Sequence, residues 1–98
     1  MGTTYDEQSI YEEAIKKFGA ISQMNMAIEE MSELTKEILK YQRGYMNREN
    51  IIEELADVYI TLKQVEIIFR IAARELQKEQ NRKLGRLAKR LIDLEIME

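Results

Sequence analysis

No proline interrupts this 98-residue chain, and only four glycines do. Proline breaks helices and glycine weakens them, so a chain almost free of both can continue helical structure over long distances. Glu, Lys, Leu, Met and Ala, which all favour helices, are abundant in it. We therefore predict an all-α protein with a single domain over residues 1–98.

Capping signals divide the chain into helices. Thr4 and Glu7 have the capping-box pattern that begins a first helix, and Gly19 would end that helix. Ser22 would begin the second helix and Gly44 would end it. Asn47 would then begin the third helix. The second helix would bury an apolar stripe formed by Met24, Ile28, Met31, Leu34 and Ile38.

From Ile51 to Leu94, apolar residues recur at alternating intervals of three and four. Such spacing is compatible with one very long helix, as in a coiled coil, or with two helices. We favour two helices with a bend near residues 70–74. This choice depends partly on the family resemblance described below.

The third helix is apolar on two sides. Ile51, Leu55, Leu62 and Phe69 would form one face, and the roughly opposite face would consist of Ala56, Ile60, Ile67 and Ile71. A helix that is apolar on two sides is usually buried on two sides. In so small a subunit the second side is most simply covered by another copy, which predicts a homo-oligomer.

Residue types that are missing exclude several kinds of site. The chain has no cysteine and no histidine, so neither thiolate nor imidazole can hold a metal. A bound metal would need oxygen ligands, which favours Mg²⁺ or Mn²⁺. The sequence shows neither a signal peptide nor an apolar run that could span a membrane, so we expect a cytoplasmic protein without a membrane partner.

Charge is unevenly distributed along the chain. Residues 1–58 have a net charge of −6 and residues 59–98 a net charge of +3, for a total of −3. A mild basic stripe on an acidic protein is weak evidence for nucleic-acid binding, and we predict none. The basic residues could contact phosphates or simply face solvent.

Two pairs of carboxylates stand out, one in each of two consecutive predicted helices. Glu30 and Glu33 are three residues apart, and Glu54 and Asp57 repeat the interval, so each pair lies on one side of its helix. If the helices are antiparallel neighbours, the four groups approach one another. Clustered carboxylates repel, and a divalent cation reverses that cost. Ordinary solvated surface charge explains the same pattern about equally well.

The sequence EEMSE at 29–33, followed by ELAD at 54–57, resembles the signature of the MazG-like nucleoside triphosphate pyrophosphohydrolases. The resemblance covers nearly the whole chain, including the basic segment RKLGRLAKRL, and is closest to short, single-domain members. It implies a four-helix MazG-like bundle assembled as a dimer or tetramer. The chain departs from the family pattern at FRIAAREL, where the resemblance leads us to expect a clearer turn between the last two helices.

The resemblance also implies a function. A nucleoside triphosphate would be hydrolysed to the monophosphate and pyrophosphate, with Mg²⁺, or Mn²⁺ in its place, held by Glu30, Glu33, Glu54 and Asp57. Glu33 is the candidate catalytic base. Gln23, Lys83 and Arg86 are candidate substrate-binding residues; a solvated glutamine and a solvated basic face are the alternatives for these positions. Two other functions stay open, a coiled-coil adaptor without metal and a metal-nucleotide sensor on the same fold.

Overall fold

The computed structural model describes residues 6–97, which form four α-helices and no strand. They are α1 (Glu7–Phe18), α2 (Ala20–Gln42), α3 (Arg48–Ile68) and α4 (Ala73–Met97). The predicted all-α class and the number of helices are confirmed. None of these helices combines the length and apolar character that crossing a membrane needs.

The helix boundaries agree with the sequence at most positions and differ at the start of α2. α1 is capped by Asp6, whose carboxylate accepts a hydrogen bond from the Ser9 amide. The predicted cap Thr4 lies outside the described residues. Gly19 ends α1 with a positive φ of 93° and also begins α2, so Ser22 is inside the helix and the prediction that it caps α2 was wrong.

The break between α3 and α4 falls where the sequence favoured it. α3 ends at Ile68, and Arg70 adopts a left-handed conformation with φ of 54°, which interrupts the helix before Ala73. Glu75 then accepts a hydrogen bond from the Ala72 amide and thereby caps the start of α4. The single long helix considered for residues 51–94 is therefore wrong.

Three of the helices pack together and the fourth does not. α2 and α3 make the most extensive contact, and α1 lies against both. In the described part of the chain, no helix packs on α4, and every residue of Ala73–Met97 is exposed. The single chain is thus elongated, 64 Å in its longest dimension, and within one copy α4 stands apart from the other three helices.

The packed faces are more polar than the apolar spacing predicted. On α2 the inner row is Gln23, Ala27, Glu30, Leu34 and Glu37, while Ile28, Met31 and Ile38 of the predicted stripe are exposed. On α3 the buried residues are Val58, Thr61 and Gln64. Both predicted apolar faces of α3 lie beside this buried row, and Leu55, Leu62 and Ile60 remain partly exposed.

Candidate metal centre

α2 and α3 form an antiparallel pair that is fixed at the connecting loop. Gly44 takes the positive φ of 98° that reverses the chain after α2. The side-chain amide of Asn47 donates hydrogen bonds to the backbone carbonyl of Glu37, at 2.8 Å, and to its carboxylate, at 3.2 Å. Asn47 precedes α3 as predicted, but its side chain holds α2 instead of capping α3.

This antiparallel arrangement brings three carboxylates together. Glu30 projects from α2, and Glu54 and Asp57 project from α3. Each offers an oxygen, and these three oxygens lie within 4.8 Å of one another. We call these three residues the acidic cluster. Glu30 and Glu54 are partly buried, while Asp57 is exposed at the edge.

The acidic cluster is electrostatically unfavourable by itself. Burial, together with the neighbouring carboxyl groups of Glu54 and Asp57, raises the pKa of Glu30 to about 7. Glu54 Oε2 is buried and has no hydrogen-bond partner among the described residues. A buried carboxylate oxygen without a donor is costly, and a cation is one group that can satisfy it.

The cluster has the donors that a hard divalent cation prefers. Mg²⁺ and Mn²⁺ bind carboxylate oxygens, and Mg²⁺ normally keeps water or phosphate oxygens in its remaining positions. Three carboxylates on two helices, with open solvent beside Asp57, leave room for such additional ligands. The residues therefore fit a metal of this type.

Glu33, the fourth predicted ligand, is not a member of the cluster. It lies one turn after Glu30, and its side chain is 47% exposed. The Lys36 amine is 4.0 Å from its carboxylate, which is a weak, solvent-screened pair. The structure thus brings together three of the four predicted ligands.

The predicted substrate-binding residues occupy two different environments. Gln23 is buried on the inner row of α2, two turns before Glu30, so the alternative of a solvated glutamine is wrong. In the antiparallel register it lies level with Thr61 and Gln64, both buried on α3. Lys83 and Arg86 are on exposed α4, and a single chain does not bring them to the cluster.

Sequence reasoning missed one polar site, the pair formed by Glu37 and Asn47. Glu37 is buried, and its pKa is lowered first by the hydrogen bond from Asn47 and then by the Lys40 amine, 3.2 Å from its carboxylate. The available signal was heptad spacing, because Glu37 continues the series Gln23, Glu30, Glu37 at intervals of seven. Because acidic residues are common on helices, this spacing alone does not distinguish Glu37 from ordinary surface charge.

Comparisons of the chain with protein-family models, with curated proteins and with solved structures each found no match.

Proposed function

We propose that this protein is a Mg²⁺-dependent nucleoside triphosphate pyrophosphohydrolase of the MazG-like type, active as a homo-oligomer. The observation that carries the proposal is the convergence of Glu30, Glu54 and Asp57 from two helices, with Glu54 Oε2 buried and without a hydrogen-bond partner in residues 6–97. Surface charge alone accounts poorly for an inward-facing cluster, because solvated carboxylates avoid both burial and one another.

Each side chain has a distinct part in the proposed reaction. Glu30, Glu54 and Asp57 hold the cation, and Mn²⁺ can replace Mg²⁺. When bound, the cation would offset part of the negative charge of the triphosphate and lower the pKa of a coordinated water. The reaction adds water across one phosphoanhydride bond, which yields a nucleoside monophosphate and pyrophosphate.

Glu33 is the proposed general base. The chain has no histidine, and a carboxylate beside the cluster can accept the proton that the attacking water loses. Glu33 suits this part because it is one turn from Glu30, outside the cluster and accessible to water over about half of its side chain. A base that is not itself a principal ligand keeps its oxygens available for the proton.

Substrate contacts are proposed at both ends of the nucleotide. Gln23 offers an amide on the same helical row as Glu30, and such a group can hydrogen-bond a base or sugar. Lys83 and Arg86 would bind phosphate oxygens. Because they lie on α4, this contact requires a second copy of the chain.

The experiment that tests the function measures pyrophosphate release from a panel of standard and damaged nucleoside triphosphates. The assay is run with Mg²⁺, with Mn²⁺ and with EDTA. We expect metal-dependent release with the monophosphate as co-product for at least one substrate, and no release in EDTA. If a folded protein that still binds metal released no pyrophosphate from any substrate of the panel, the result would favour a metal-nucleotide sensor.

The exposed leucines of α4 favour a second candidate, a helical interaction protein. That function requires neither metal nor the acidic cluster. Absence of both pyrophosphate release and metal binding would support it.

A further inference from the structure

α4 carries an apolar stripe that nothing else in the described chain covers. Leu84, Leu87, Leu91 and Leu94 follow at intervals of three and four residues, so they lie on one side of the helix. Each exposes between 49% and 59% of its surface. We call these four residues the leucine stripe.

An uncovered helix of this composition needs a partner. Gly85 lies within α4 and weakens it, and most helices in proteins depend on packing of their apolar face. A side chain added at Gly85 would meet no atom within 4 Å, so nothing inside the chain requires a glycine there. The leucine stripe is therefore most simply a contact surface for another molecule.

Charge beside the stripe restricts what that molecule can be. Residues 82–90 contain five basic and no acidic residues. Three of the five, Lys83, Arg86 and Arg90, lie along one edge of the stripe and line a shallow surface pocket with Leu87. Two α4 helices paired through their stripes with these segments aligned would bring like charges together, which disfavours that pairing. An acidic surface is favoured instead.

The rest of the same chain provides such a surface. Residues 6–68 contain thirteen acidic and seven basic residues. On α3, Ile60 is 47% exposed, and Glu53 and Asp57 precede it by seven and three positions, so all three lie on one side of the helix. This surface consists of the apolar residue Ile60 and an acidic border formed by Glu53 and Asp57. It matches the leucine stripe and its basic edge with opposite charge.

We propose that the leucine stripe of one copy packs on the Ile60 side of α3 in a second copy, with Lys83, Arg86 and Arg90 against the acidic border at Glu53. The pairing rests on the homo-oligomer of the proposed function and does not depend on hydrolysis. It also brings the basic edge of one copy near the acidic cluster of another, because Asp57 belongs to both that cluster and the border.

Cross-linking locates the contact directly. The chain has no cysteine, so a Leu87→Cys chain and an Ile60→Cys chain, distinguished by affinity tags and co-expressed, can form disulfides only at the chosen positions. We expect the mixed disulfide between the two chains. A Leu87→Cys chain paired with a Phe18→Cys chain is the control, because Phe18 is apolar and exposed but lies on α1. Leu87→Cys chains linked mainly to one another would overturn the proposal in favour of an α4 pair.

Charge exchange tests the same contact without cysteine. We expect the double variant Arg86→Glu/Arg90→Glu to sediment as a smaller species than the parent, and Glu53→Lys added to it to restore at least half of the oligomer. The matched control is Arg74→Glu/Lys78→Glu, which makes an equal charge change away from the stripe and should sediment like the parent. Helical content by circular dichroism checks that all chains fold.

The outcomes separate this inference from the proposed function. A parent chain that sediments as a monomer overturns both the docking and the homo-oligomer. A parent oligomer that Arg86→Glu/Arg90→Glu leaves intact overturns the docking alone. Pyrophosphate release by the parent gives no information about the docking contact. The hydrolase proposal is therefore tested separately, by the pyrophosphate assay.

Discussion

The α2–α3 pair and α4 have similar spacing of apolar residues but differ in the side chains that they bury. The pair buries a row that includes Gln23, Glu30 and Glu37, and it leaves many of its large apolar side chains outside. α4 has regularly spaced leucines and buries none of them within the chain. Polar groups buried in one region and apolar groups exposed in the other suggest that the first region binds a small ligand and the second binds protein.

The largest effect should come from removing a ligand of the acidic cluster. We expect Glu30→Gln or Asp57→Asn to reduce pyrophosphate release by about a hundredfold or more, because a charge that holds the cation is lost. The measurement is kcat/KM with the preferred substrate at saturating Mg²⁺. The matched control is Glu29→Gln, one position away and exposed, which should keep near-parent activity. Full turnover by either cluster variant would show that the reaction occurs elsewhere.

Loss of the proposed base should be distinguishable from loss of a ligand. We expect Glu33→Gln to lower kcat by at least about tenfold while the affinity for Mn²⁺ stays within about threefold of the parent, because Glu33 is outside the cluster. Parallel measurement of kcat and Mn²⁺ affinity checks this separation. Equal loss of both would make Glu33 a ligand, as the family resemblance implies.

Divalent cation should stabilise the fold through the same cluster. A ligand present at about a hundred times its Kd stabilises a protein by about 2.7 kcal/mol, which raises the Tm of a domain this size by about 10 °C or more. We expect such a rise with Mg²⁺ for the parent and for Glu29→Gln, and little or none for Glu54→Gln. A similar rise in Glu54→Gln would place the cation at another site.

Without metal, stability should depend on the protonation of Glu30. Its pKa is raised from 4.5 to about 7 in the folded chain, so the folded state binds more protons than the unfolded state between these values. The free energy of unfolding should therefore fall as pH rises from 4.5 to 7, by an amount that solvent access to the cluster moderates. Urea titrations in EDTA should show this slope for the parent and Glu29→Gln. The slope should be weaker in Glu30→Gln, and an unchanged slope there would contradict the assignment.

The smallest effect on stability is expected in the loop that connects α2 and α3. Asn47→Ala removes two hydrogen bonds to Glu37 and should lower the Tm by a few degrees. Asn25→Ala, an exposed change within α2, should not lower it. A Tm for Asn47→Ala equal to that of the parent would show that these bonds contribute no net stability.

The helices could be predicted from sequence because they depend on local properties. Scarce helix breakers, together with Gly19, Gly44 and Asn47, were enough to locate most boundaries. Ser22 misled because serine caps helices well, whereas here Gly19 already ends one helix and begins the next.

The packed faces could not be predicted, because α2 and α3 are apolar on several sides and spacing alone does not choose among them. The buried row of α2 is displaced from the predicted stripe toward Glu30, so Glu30 and Glu37 point toward α3. The separation of Glu33 depends on the register of two helices, which no local pattern encodes.

The most direct test of the acidic cluster as a metal site is Mn²⁺ titration of the purified chain, followed by electron paramagnetic resonance of the free ion. The parent and Glu29→Gln should bind Mn²⁺ with the same stoichiometry and affinity, and excess Mg²⁺ should displace it. Glu54→Gln should lose this binding, because it removes charge from the carboxylate whose Oε2 is buried without a partner in the part of the chain that the structure describes. Equal Mn²⁺ binding by Glu54→Gln and the parent would contradict the proposed metal centre.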